Sequence, residues 1–153
     1  MNARAAIVAG VLAGALALPA QAQIVRHCHD DAAPAWAIGE PWEENTAVYA
    51  EGRVRLAVID RIEPAAAAVW LLILSPPLDE VGGRQCRLVG LSEGSGFLDL
   101  DFAARTAEYD AASGLSVSMP ALHFDPDSVD GIKRQLTVTI NQSTGEIAAR
   151  SVK

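Results

Sequence analysis

From Thr46 onward the chain is written in alternation. In RVRLAVID, residues 53–60, Val54, Leu56 and Val58 alternate with Arg53, Arg55 and Ala57. A period of two places one set of side chains on a buried face of a strand and the other set in water. The next apolar stretch does not alternate. Val69 to Leu74, within AAAAVWLLILS, is continuous, β-rich and closed by Pro76-Pro77. Pro64 and the alanines after it would suit the first turn of a helix. The shortness of the run and its stop favour a central strand covered on both faces.

The remainder repeats a rhythm of strand and turn. RQCRLVGL (84–91) is a strand carrying Cys86, and FLDLDFAARTAEYD (97–110) reads as one long or bent strand. In the latter, Leu98, Leu100 and Phe102 point one way while Asp99 and Asp101 point the other. LSVSMPALHF (115–124), IKRQLTVTIN (132–141) and EIAARSV (146–152) follow, the last two as a closing hairpin. SEGSG, AASG, DPDSVDG and QSTG supply the Gly, Asp, Pro and Ser that turns require. Nearly every strand can pair with its neighbour in sequence. The pattern therefore predicts an all-β domain, a small antiparallel meander of about seven or eight strands closed as a sandwich or barrel.

The pattern before Thr46 is different. Residues 23–45 hold Pro34, Gly39 and Pro41, show no helical period, and read as an irregular segment leading into a single β-domain over 46–153. Residues 1–22 read as a secretory signal peptide. Arg4 is the charged start, Ala5 to Leu18 the apolar run, Pro19 its break, and Ala20-Gln21-Ala22 an A-x-A cleavage site. The run is short of the about 20 apolar residues of a spanning helix. The reading expects cleavage after Ala22, a mature protein with no membrane span, and a periplasmic or secreted location. No lipobox precedes Cys28, so a lipid anchor is not expected.

Charge narrows the partners. The net charge of −7 becomes one unit more negative once Arg4 leaves with the leader. Such a chain repels nucleic acid and anionic membrane surfaces and suits a cationic partner. The two cysteines, Cys28 and Cys86, are most simply a disulfide in an exported chain. It would pin the N-terminal segment to the body of the domain. No C-x-x-C is present to support redox exchange.

Five groups of residues bear on chemistry. GLSEG (90–94) matches G-x-S-x-G, but a turn and a strand follow it where a nucleophile elbow needs a helix. HFDPDSVDG (123–131) gathers His123, Asp125, Asp127 and Asp130. A calcium loop opening at Asp125 would need other residues where Val129, Asp130 and Leu136 stand, so a solvated turn is expected. Asp99 and Asp101 share a wet strand face, and Arg53 and Arg55 on another are available as cross-strand partners. His27 and His29, two apart, would project to one side of an extended strand and form a copper or zinc site, leaving Cys28 free to reach Cys86. Trp36 and Trp42 are expected to pack over an open end of the β-domain; left exposed, they would be the best binding surface, since tryptophan concentrates at interface anchors.

These features point to a non-enzymatic exported domain that binds a protein or small ligand in the cell envelope, as an inhibitor, an immunity protein or an assembly accessory does, without a cofactor. A metal-handling protein using His27 and His29 is the alternative, and a small hydrolase built on Asp99, Asp101 or His123 stands behind both.

Overall fold

Two antiparallel sheets face each other across one apolar layer. The computed structural model describes residues 21–28, 33–63 and 67–153; residues 1–20 of the leader, His29, Asp30, Asp31 and Pro64 lie outside them. The first sheet runs β1 (Gln21–Ala22), β11 (Ile147–Val152), β10 (Ser128–Ile140), β9 (Gly114–Asp125), β7 (Asp99–Leu100), with β8 (Thr106–Asp110) on β9 as well. The second runs β2 (Ile24–His27), β6 (Arg84–Gly90), β5 (Val69–Leu78), β4 (Val54–Asp60), β3 (Thr46–Tyr49). The expected all-β meander is present, as a sandwich rather than a barrel.

The alternation does its work where it is cleanest. Val54, Leu56 and Val58 of β4 meet Leu115, Val117, Met119 and Ala121 of β9 and Leu136, Val138 and Ile140 of β10 in one buried cluster. Facing rows of this kind exclude water from both sheets, and the apolar area removed supplies the main favourable term in folding. On the outer face of β9 and β10, the polar set pairs across the strands: Ser116 with Thr139 at 3.1 Å and Ser118 with Thr137 at 2.9 Å.

β5 is buried on both faces over Val69–Leu71, as its continuous apolar run predicts, while Leu72 and Leu74 on the outer face are half-buried. Leu71 and Ile73 point into the sandwich, while Trp70 points to the outside of the second sheet. There a smaller cluster forms from Ala57, Ile59, Trp70 and Leu88 under Ala37. Cys28 and residues 33–38 thus add a partial third layer over this sheet, and Ile38 bridges Ile59 on β4.

Three expectations change. The Pro76-Pro77 pair does not stop β5: the strand continues to Leu78, with a register shift between Ser75 and Leu78 that accommodates prolines lacking an N–H. FLDLDFAARTAEYD is not one strand. Asp101 accepts from the backbone N–H of Ala104, and Arg105 donates to the carbonyl of Phe102, turning the chain between β7 and β8. The segment from residue 23 opens with an ordered strand, β2, before it becomes irregular.

Candidate functional site

The residues singled out from the sequence fall in separate places. Cys28 and Cys86 are joined, with Cα atoms 5.3 Å apart. β2 pairs antiparallel with β6 through His27 opposite Arg87, so the next residue, Cys28, arrives opposite Cys86, and its N–H donates to the Cys86 carbonyl at 3.2 Å. The bond lies against the outer cluster and fastens the start of the covering segment. His27 is exposed, opposite a cationic side chain. His29 lies outside the described residues, and among the described residues no group of three or more His, Cys, Asp or Glu side chains is placed to hold a metal.

The hydrolase features do not converge. Ser92 bridges Ser95 in a tight turn before β7. Gly90 is fixed by packing: a Cβ there would stand 2.4 Å from the indole of Trp70. Asp99 and Asp101 are exposed as expected, but Arg55 sits on β4 in the other sheet and Arg53 in the turn before it, so the cross-strand pairing is overturned. Asp125 accepts from the N–H of Asp127 and closes a short turn.

The tryptophans also depart from expectation. Trp36 is 70% exposed and Trp42 is 49% exposed. Small residues do the covering instead. In the short 3-10 turn Ala35–Ala37, Ala37 faces the sheet, which leaves its neighbour Trp36 facing out. Trp42 opens the one-turn helix α1 (Trp42–Asn45), where its carbonyl accepts from the Thr46 hydroxyl at 2.8 Å. Glu40, Glu43 and Glu44 are exposed beside it. Where the covering segment ends, Ile38, Val48, Leu72 and Leu74 line an apolar groove of about 270 Å³ on the outside of the second sheet. Arg55 stands at its side. The covering segment therefore presents two exposed aromatics and three exposed carboxylates.

One residue at the end of the alternating set of LSVSMPALHF turns out to be part of the buried face. His123 is in phase with Leu115, Val117, Met119 and Ala121, and it is inward-facing and only 7% exposed. Its ring lies 5.5 Å from that of Phe97. Burial holds its pKa below the usual imidazole range, and the nearby Arg134 guanidinium lowers it further. His123 lines a cavity of about 490 Å³ at one end of the sandwich with Gln23, Leu91 and Phe124. At the opposite end Tyr49, Arg53, Tyr109 and Gln142 line another, of about 390 Å³.

No helix among the described residues is long and apolar enough to cross a membrane. Compared with known proteins, the chain matches no family model, no curated protein and no solved structure.

Proposed function

We propose that this chain is an exported, non-catalytic binding domain, released into the periplasm or beyond by removal of residues 1–22, that docks a cationic protein in the manner of an inhibitor or immunity protein. The observation that carries the reading is the exposure of Trp36 and Trp42 on a segment fringed by Glu40, Glu43 and Glu44. Large aromatics left in water are the usual anchors of interfaces, and carboxylates around them favour lysine- and arginine-rich surfaces through charge and through cation–π contact. The disulfide supports a disulfide-permissive compartment and holds the segment on the sheet in advance, which lowers the ordering cost of binding.

The test is capture from envelope extract by immobilised mature protein, run beside Trp36→Ala/Trp42→Ala and Glu43→Gln/Glu44→Gln. The reading expects a basic protein retained by the wild type, weakened by added salt and lost in both variants. Equal retention by all three, or no retention at low salt, overturns it.

A further inference from the structure

Gln23, the residue that follows the A-x-A site, has its side chain turned toward the chain that precedes it. The carboxamide Nε2 donates back to the carbonyl of Gln21 at 3.0 Å, on the N-terminal side of its own backbone nitrogen. That nitrogen is held in turn, donating to the Ala149 carbonyl on β11 at 3.0 Å.

We propose that Gln23, once it becomes the amino terminus, is a modification site that cyclises to pyroglutamate; the assignment rests on the leader reading above. The α-amine attacks Cδ. The N–Cδ bond forms, the Cδ–Nε2 bond breaks, and Nε2 departs as ammonia with the proton released by the amine. The reaction needs no oxidant, reductant or second substrate. Cutting after Ala22 also removes Gln21, whose carbonyl accepts from Nε2, and so frees the carboxamide to close.

The surroundings favour the product. With Gln21 and Ala22 in place Gln23 is 9% exposed and lines, beside them, the same cavity as His123, Leu91 and Phe124. His123 Nε2 and Gln23 Oε1 are buried without a protein partner. A free α-ammonium brings charge to a partly apolar site, which is costly without a paired anion. The lactam carries no terminal charge. It keeps one N–H to donate to Ala149 and one carbonyl oxygen in the cavity that His123 lines. The amino terminus would then be a neutral plug at the end of the sandwich.

N-terminal mass spectrometry and Edman degradation of protein exported from cells expressing the full chain, with Gln23→Ala alongside, decide the matter. The expected wild type begins at Gln23, is lighter by one ammonia in most molecules and is blocked to Edman chemistry, while the variant begins with a free amine. A wild type that begins at Gln23 and keeps its free amine through incubation at neutral pH overturns the cyclisation and leaves the export reading standing. A chain that begins elsewhere, or retains residues 1–22, overturns both.

Discussion

Trp70 occupies the space that a side chain at Gly90 would need. A Cβ at Gly90 would stand 2.4 Å from Cζ3 of the indole and 2.8 Å from the carbonyl oxygen of Ser95. The backbone oxygen cannot swing aside as a flexible chain end can. Gly90→Ala is expected to destabilise the domain by about 1–3 kcal/mol, the usual range for overpacking. Urea unfolding checks this, and wild-type stability in the variant would show that the contact yields freely.

The disulfide closes a span of 58 residues. On the chain-entropy account, losing it costs about 4 kcal/mol. Cys28→Ser/Cys86→Ser should therefore unfold at lower denaturant concentration. It should also release the segment over Trp70, so limited proteolysis near residues 33–45 is expected to precede cleavage in the strands. Simultaneous loss of all regions would mean that the covering layer is not separately held.

His123 sets an acid limb on stability. Its folded pKa lies below the ordinary imidazole value of about 6.5. As pH falls through about 6.5 the unfolded chain takes up the proton first, which favours unfolding. The stabilising contribution is thus full above that value and declines as pH falls toward the lowered folded pKa. His123→Gln should flatten this limb relative to the wild type in thermal melts between neutral and mildly acid pH.

Trp36 and Trp42 are exposed and lie outside the core, which makes them the anchors of the proposed binding surface. Trp36→Ala should change stability by no more than about 0.5 kcal/mol, as surface replacements do. Capture of the partner should fall in the same variant. A large loss of stability would mean that Trp36 is covered in solution.

The strands were legible because their cores are one-sided: β4, β9, β10 and β11 each keep their inward set in step. β5 was legible for the opposite reason, since a run with no wet face must be covered twice. What covered it was not. Ala37 and Ile38 do so because their size and edge position fit the sheet, a tertiary matter on which Trp36 and Trp42, far more apolar in bulk, gave the wrong impression. The break between β7 and β8 depends on side chain-to-backbone bonds at Asp101 and Arg105 that alternation does not encode. His123 was legible as the last inward position of LSVSMPALHF, whereas its approach to Phe97 is a tertiary contact that alternation does not encode. Pairing of Arg53 and Arg55 with Asp99 and Asp101 failed because strand phase says nothing of which sheet a strand joins.

The three tryptophans divide between two optical environments. Trp70 is 2% exposed with the Arg26 guanidinium 5.6 Å from its ring, whereas Trp36 and Trp42 stand in water. A soluble quencher should therefore extinguish the red-shifted part of the emission first and leave a blue-shifted remainder from Trp70. One chain then carries two internal reporters: a ligand seated on the outer segment changes the quenchable fraction, and unfolding of the sandwich changes the other.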